Sequence, residues 1–217
     1  EAAQRSFELD RTNIVACRMA AELQLQMARH ADALRTLQAL SEEAPRDHDY
    51  YNALGNALFQ NRDPRAAVDA FFKALTLKVD SAIVHYRLGL CFMDMAMDLE
   101  AAECFRTAIS LDDGATRALA LSLVVQENRQ ACHWKDDAAD TRALLAAVDR
   151  DDPETARLLL PFALIAIEST PAQQRSLGER RVDGMTRHIV PLPPAGPRRP
   201  GRIRVGYLGG EFRNQAT

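Results

Sequence analysis

The sequence is poor in aromatic residues and contains no long apolar run. Aromatic residues make up 6% of the 217 residues, and one of them is tryptophan. No apolar stretch approaches the ~18 residues that a helix needs to cross a bilayer, and the nearest candidate, 158–167, is interrupted by Pro161. No secretory signal pattern is visible. With 47% hydrophobic residues, the composition indicates helices packed through Ala and Leu and argues against a membrane-spanning chain.

Cysteine is scarce as well, and neither sign of charge dominates. The net charge of −3 gives no reason to expect nucleic acid or an anionic membrane as a partner. The four cysteines lack the paired spacing of zinc ligands, so we predict inert thiols in a reducing, cytoplasmic protein. The five histidines have no carboxylate or cysteine at metal-ligand spacing, so we predict no metal site. These residues are Cys17, Cys91, Cys104, Cys132, His30, His48, His85, His133 and His188.

What the sequence does contain is a pattern that recurs every 34 residues. Leu54-Gly55, Ala67, Phe71 and Ala74 reappear as Leu88-Gly89, Ala101, Phe105 and Ala108. Glycine inside a helix costs about 1 kcal/mol relative to alanine, which is tolerable if its missing side chain lets a partner helix come close. The pattern resembles the tetratricopeptide repeat. The resemblance implies helical hairpins that stack into a right-handed α-α superhelix, because one hairpin cannot bury its apolar face alone.

The period predicts where the repeats lie. We expect hairpins at 14–47, 48–81 and 82–115 and a partial one at 116–134, so that the superhelix occupies 1–134. The first repeat is degenerate but keeps apolar residues in register at Ala20-Ala21, Ala33, Leu37 and Leu40. The array is expected to end near 134, because Lys135 stands where the repeat requires alanine. The chain starts at Glu1 rather than Met, which suggests a piece of a longer protein.

A helical transition segment is expected at 135–190, without the 34-residue signature. Helices are predicted over 136–148, over 155–167 after the start signal Asp152-Pro153-Glu154, and from Thr170-Pro171 to about 182. The first of these begins with three carboxylates, which we interpret as a solvated helix N-terminus favoured by the helix dipole. They are Asp136, Asp137 and Asp140.

The last 27 residues are not predicted to be helical. Residues 191–201 contain five prolines and predict an extended spacer, with a proline-rich ligand for another domain as the alternative. Residues 202–208 are predicted to form a β-strand, followed at once by Gly209-Gly210. A strand that runs into a glycine turn is how many nucleotide-binding α/β domains begin. Residues 202–217 are therefore predicted to be the start of a truncated catalytic domain.

Two short motifs, one after the repeats and one after the proline-rich spacer, indicate a more specific family than the repeats alone do. They are Cys132-His133-Trp134-Lys135-Asp136 after the repeats and Arg202-Ile203-Arg204-Val205-Gly206-Tyr207 before the turn that ends at Asn214. They resemble the O-GlcNAc transferase/SPINDLY-like protein glycosyltransferases, in a bacterial form. The resemblance implies a GT-B enzyme that moves GlcNAc from UDP-GlcNAc to Ser or Thr of proteins selected by the repeats. This chain would hold the first strand of the first Rossmann-like lobe, so we expect no bound cofactor and no activity from it alone.

One position departs from that family. Gln215, beside Asn214, stands where the family often has a histidine proposed to act in catalysis. An imidazole can exchange a proton at neutral pH, whereas an amide cannot act as a general base. Either another group serves in this branch, or Gln215 positions the substrate, or the parent protein is not an active transferase.

The protein-binding residues are predicted from the repeat register. The first helix of each hairpin is expected to line the concave face, which places Asn52 and Asn56 one turn apart on it. Their amides offer a donor and an acceptor to a peptide backbone. The same register predicts Tyr86 and Leu90 one repeat later, and Arg18 and Glu22 one repeat earlier. The alternative is that these are ordinary solvent-facing side chains, and no continuous asparagine ladder is present.

Three functions are compatible with the sequence. The first is the substrate-recognition region of a protein O-glycosyltransferase. The second is a non-catalytic adaptor or scaffold, which has no need for a strand and glycine turn after a proline spacer. The third is a flagellin-type transferase with another donor sugar. All three predict a protein or peptide partner on the repeats and allow a homo-oligomer; none involves nucleic acid or a membrane.

Overall fold

The computed structural model describes residues 2–112, 114–150, 152–187 and 189–190, and the regular structure in these ranges is entirely helical. The helices are α1 Ala2–Leu9, α2 Ile14–Gln26, α3 His30–Gln38, α4 His48–Gln60, α5 Pro64–Leu77, α6 Ala82–Asp94, α7 Asp98–Leu111, α8 Ala115–Gln130, α9 Asp137–Asp149, α10 Pro153–Leu158 and α11 Pro171–Thr186, with a 3-10 helix at Pro161–Ala166. The predicted spacer 191–201, the predicted strand 202–208 and the rest of 202–217 lie outside the described residues.

Local side-chain signals start several of these helices. Asp47 caps α4, since its Oδ1 accepts a hydrogen bond from the Tyr50 amide at 2.7 Å. Asp63 caps α5 in the same way and is followed by Pro64 at the first helical position. The capping box expected at Thr170 is present, with Gln173 as its second member. The start signals in the sequence therefore correspond to real helix starts.

The helices pair into hairpins through turns that share one backbone feature. Ala28, Arg62 and Ala96 lie between α2 and α3, α4 and α5, and α6 and α7, each 34 residues apart, and all have positive φ angles of 56°, 65° and 56°. Glycine or asparagine usually takes this left-handed conformation. Because the sequence has neither residue at these positions, the turns carried no recognisable signal.

Within each of the two well-formed repeats, a glycine lies directly against a phenylalanine ring. A Cβ added to Gly55 would lie 2.6 Å from Cε1 of Phe71, and one added to Gly89 would lie 2.5 Å from Cε1 of Phe105. Both rings are fully buried. The prediction that glycine lets the partner helix approach closely is confirmed, because no side chain larger than hydrogen fits beneath either ring.

The hairpins bury their apolar faces on one another. Phe71 of α5 shares a core with Val84, Leu88 and Cys91 of the following hairpin. Phe105 of α7 belongs to a larger core that α8, α9 and the later helices complete. Core contacts across successive hairpins are what hold a repeat protein together.

The prediction of one helix over 155–167 is wrong. The helix ends at Leu158, and a separate 3-10 helix begins at Pro161. Leu159 and Leu160 have extended backbone angles, because the residue before a proline is disfavoured in the helical conformation and proline has no amide hydrogen to donate. The last helix, α11, runs to Thr186, four residues beyond the predicted end.

The acidic start of α9 is not a solvated helix end, which corrects our interpretation. Asp137 accepts a hydrogen bond from Arg129 of α8 at 2.8 Å, and Asp140 accepts from Asn128 at 3.0 Å. Arg106 of α7 lies 3.2 Å from Asp140, whose side chain is 14% exposed. Burial raises the pKa of Asp140, and the charge of Arg106 opposes that effect. This polar network ties α9 to α7 and α8.

Glu127, the residue before Asn128 in α8, is fully buried. Its Oε2 has no hydrogen-bond partner among the described residues. Burial, together with the negative charge of Asp98, raises the pKa of Glu127 to about 7. A carboxyl group in this position favours its protonated form, because a lone buried charge is costly.

We predict that Gly55→Ala lowers the free energy of unfolding by about 1–3 kcal/mol, because the added methyl group collides with the Phe71 ring. Gly178→Ala is the matched control: it lies inside α11 with no atom within 4 Å of its added Cβ, so it should raise stability by about 0.5–1 kcal/mol. Urea unfolding followed by circular dichroism gives both values. Equal effects of the two substitutions would contradict the close contact.

A second prediction concerns pH. The pKa of Glu127 is raised on folding, so the folded state holds the proton more tightly and stability must fall as pH rises from about 4.5 through about 7. Glu127→Gln keeps the shape but cannot ionise, and its stability should change less across this interval. Urea midpoints of both proteins at pH 5, 6, 7 and 8 test this. Curves that stay parallel would show that Glu127 does not titrate there.

Candidate functional site

The first helices of the three hairpins, α2, α4 and α6, lie side by side. Between them is a cavity of about 240 Å³, which we call the groove pocket. Four of the residues that the register predicts meet there: Arg18, Glu22, Asn52 and Asn56. The pocket is completed by Leu25, Asp49, Ala53 and Arg87. The 34-residue register thus brings residues from all three hairpins to one place.

Tyr86 and Leu90, the other two predicted binding residues, do not line this pocket. Both are partly buried and pack against the core around Phe105. The centroid of the Tyr86 ring is 5.8 Å from that of Phe105. Their side chains therefore support the third hairpin, and Arg87 is the residue that α6 contributes to the groove pocket.

Arg18 is held by two carboxylates of the next hairpin. Its Nη1 lies 2.9 Å from Oδ2 of Asp47 and 2.9 Å from Oδ2 of Asp49. Both carboxylates lie at the start of α4, and both are half or more exposed, so each pair contributes at most about 1 kcal/mol. The main consequence is geometric: α2 is fixed against α4, and the charge of Arg18 is already neutralised.

Arg87 is in a different position. Its Nη1 donates a hydrogen bond to Oδ1 of Asn52 at 2.6 Å. Burial lowers the pKa of Arg87, and the negative charge of Glu22 opposes that change. An arginine remains protonated in proteins, so its charge persists in a partly desolvated place. Among the described residues it has no carboxylate at ion-pair distance.

The two asparagines also differ. Asn52 uses its oxygen to accept from Arg87. The amide of Asn56 makes no hydrogen bond within the described part of the chain, although the residue is partly buried. The pocket therefore presents an unused amide, further guanidinium N–H groups and the carboxylates of Glu22 and Asp49. Such a set can bind both the carbonyl and the amide groups of an extended peptide.

Sequence reasoning missed Asp49 and did not choose Arg87 as a binding residue. The repeat register could have found both. Ala53 lines the pocket; Asp49 lies one helical turn before it on the same face of α4, and Arg87 is the position 34 residues after it in α6. The positions next to the asparagines therefore also face the groove.

The two catalytic candidates, Asn214 and Gln215, lie outside the described residues. The described ranges contain no group of three potential metal ligands, and none of their helices is long and apolar enough to span a membrane. His48 has a packing role: its Nδ1 is 3.1 Å from the Ala74 carbonyl oxygen and its Nε2 is 3.2 Å from Oγ of Ser81.

Three of the four thiols are held in their protonated form by burial. Burial raises the pKa of Cys17 and of Cys104 to about 11 and that of Cys91 to about 12. A thiol must ionise to act as a nucleophile, so these three are unreactive at neutral pH. Cys132 is exposed, and all four cysteines are free.

Comparison with known proteins identifies the fold. A family model for the tetratricopeptide repeat matches residues 82–114, which is the hairpin of α6 and α7. No curated protein matches the chain significantly. Residues 82–114 are therefore assigned to a tetratricopeptide repeat, and the match falls within the repeat predicted at 82–115.

Solved structures agree with this assignment. MamA is 21% identical with a TM-score of 0.60, over 67% of this chain and 84% of MamA. PilF of Pseudomonas aeruginosa is 18% identical with a TM-score of 0.60, over 79% and 76% of the two chains. YrrB, described as a TPR protein with an unusual peptide-binding site, is 16% identical with a TM-score of 0.56, over 70% and 77%. At these identities the likeness shows the fold alone, and none of these matches supports the glycosyltransferase expectation.

Proposed function

We propose that this chain is a protein-interaction module that binds an extended segment of a partner protein across α2, α4 and α6. The observation that carries the proposal is the groove pocket. It gathers polar groups from three hairpins, and Asn56 and Arg87 keep hydrogen-bonding capacity unused within the described chain. A partly buried polar group that lacks a partner gains free energy when a ligand supplies one.

The chemistry of the pocket indicates how the segment would be held. Asn56 would bind a backbone amide or carbonyl group, which does not depend on the sequence of the ligand. Arg87 would bind a carbonyl oxygen or a carboxylate. Glu22 and Asp49 also line the pocket and would disfavour a strongly acidic segment. A ligand of mixed charge therefore fits better than a highly charged one.

The comparisons favour an adaptor or scaffold role over a catalytic one. Tetratricopeptide hairpins form the described fold, and YrrB, which shares this fold, is described as having a peptide-binding site. An interaction module requires nothing beyond the hairpins and their groove.

The recognition region of a protein O-glycosyltransferase is our second proposal. It rests on the sequence order of the Trp134 segment and residues 202–214, with UDP-GlcNAc as the donor and the cytoplasm as the location. The test is sugar transfer from UDP-GlcNAc by the protein purified from its source, together with its intact mass. Transfer by a species well above 24.1 kDa would support this proposal. A pure protein that binds peptide but transfers no sugar would reject this second proposal and support the adaptor role.

We predict that replacing Asn52 and Asn56 together by alanine weakens peptide binding about tenfold or more, because hydrogen bonds of about 1 kcal/mol each are lost. The probe is a phage-displayed library of random peptides selected on the unmodified chain, followed by fluorescence anisotropy with the enriched peptide. Helicity should not change.

The matched control is Arg65→Ala combined with Asp69→Ala, two exposed residues one turn apart on α5, which should bind normally. Equal affinity of both double variants would remove the asparagines from the site. A library that yields no enriched peptide would count against the function itself.

A further inference from the structure

Another open cavity of the third hairpin shares no residue with the groove pocket. It has a volume of about 400 Å³, and we call it the α7 cavity. Its walls are Leu99, Glu100, Glu103 and Cys104 of α7 and Phe92 of α6. It therefore combines three apolar side chains with two carboxylates.

The α7 cavity lies in the middle of the described array. The helix α7 packs against α6 and α8, and α6 packs against α5, so the stacking positions on both sides of this hairpin are filled. Leu99 nevertheless remains 49% exposed. Because repeats stack end to end, a further hairpin at either end of the array would not cover this place.

The apolar part of the cavity belongs to the core between two hairpins. Phe92 and Cys104 are partly buried and pack against the core around Phe71 of the preceding hairpin. Leu99 adds an exposed apolar side chain to this surface. Covering such a surface with an apolar side chain of a ligand is favourable in proportion to the area removed from water.

The two carboxylates of the cavity are poorly neutralised. Glu100 takes part in no ion pair among the described residues. Glu103 lies 3.8 Å from Nε of Arg106, but Nη1 of that arginine lies closer to Asp140, at 3.2 Å. Burial, together with the negative charges of Glu103 and Glu100, raises the pKa of Cys104 to about 11. Both charges therefore act on the interior of the cavity.

The preceding hairpin lacks this combination. One period before Leu99 and Glu103 stand Arg65 and Asp69, so α5 carries one charge of each sign at these positions. The position equivalent to Glu100 is an alanine, Ala66. The acidic and apolar surface is therefore a property of this hairpin and not of the repeat in general.

We propose that the α7 cavity binds a protein segment in which a bulky apolar residue is flanked by Lys or Arg. The apolar side chain covers Phe92, Leu99 and Cys104, and the flanking cations pair with Glu100 and Glu103. An acidic segment is disfavoured, because like charges that face each other across an interface cost free energy. Binding here does not require the groove pocket to be occupied, since the two sites have no residue in common.

Fluorescence anisotropy with two synthetic peptides tests the proposal. The probe is fluorescein-labelled Gly-Ser-Lys-Lys-Phe-Lys-Lys-Ser-Gly, and the control peptide has Glu in place of each Lys; the full chain should bind only the probe. Glu100→Lys combined with Glu103→Lys should weaken binding about tenfold or more, because both charge pairs are lost. Glu42→Lys combined with Glu43→Lys is the matched control, since it makes the same change of net charge at two exposed glutamates outside the cavity. It should bind the probe normally.

A second pair of variants tests the apolar contact. Leu99→Ser should weaken binding about fivefold, because apolar area is no longer covered. Leu111→Ser should have no effect, since Leu111 is 41% exposed on the same helix but does not line the cavity. Circular dichroism should show the same helicity in every variant.

Photo-cross-linking locates the bound peptide. With benzoylphenylalanine in place of the probe's Phe, mass spectrometry should find the cross-link on α7 or at Phe92. Equal loss of binding in the two Lys double variants would indicate a nonspecific charge effect, and cross-links in the groove pocket would indicate the other site. A probe that does not bind would show that the cavity does not take this chemistry, whether it is empty or covered by another part of the chain or a second copy. Each of these results would overturn the proposal.

Discussion

The contact between a glycine and a phenylalanine ring sets the geometry on which the rest of the molecule depends. Gly55 accepts Phe71, and Gly89 accepts Phe105, at distances that exclude even a methyl group on the glycine. This contact fixes how closely the two helices of a hairpin approach. Because both hairpins use the same pair at the same period, their first helices present equivalent faces to the next unit. The buried faces then stack, and the polar positions beside them align along one groove.

The groove pocket follows from that alignment, but its chemistry comes from local differences between repeats. Register alone would place Tyr86 and Leu90 beside the asparagines. In the structure those two side chains pack on the core of the third hairpin, and Arg87 extends back to Asn52. Arg18 is neutralised by two carboxylates, whereas Arg87 has one hydrogen bond to an amide. The arginines of α2 and α6 therefore have different roles: Arg18 joins two hairpins, and Arg87 lines the groove pocket with its charge unpaired among the described residues.

The two ends of the array differ for a related reason. At the C-terminal end, the polar network of Arg106, Arg129, Asp137 and Asp140 holds α9 over the last hairpins, and a continuous apolar core lies beneath it. At the N-terminal end of the described residues, α1 packs on α2 through the fully buried Phe7, while Val15, Met19 and Leu23 of α2 stay about half exposed.

The sequence by itself determined the hairpins, their period and most helix starts, because these depend on short-range spacing: a cap before a helix, a proline at its first position, a glycine 16 residues before a phenylalanine. It also placed Arg18, Asn52 and Asn56 on one face. Only the tertiary structure decided that the acidic start of α9 is paired, that the helix after Asp152 breaks at Pro161, and that Arg87 rather than Tyr86 enters the groove. Those outcomes depend on which side chains of distant helices lie within hydrogen-bonding or packing distance, and the periodicity of a single chain does not specify such distances.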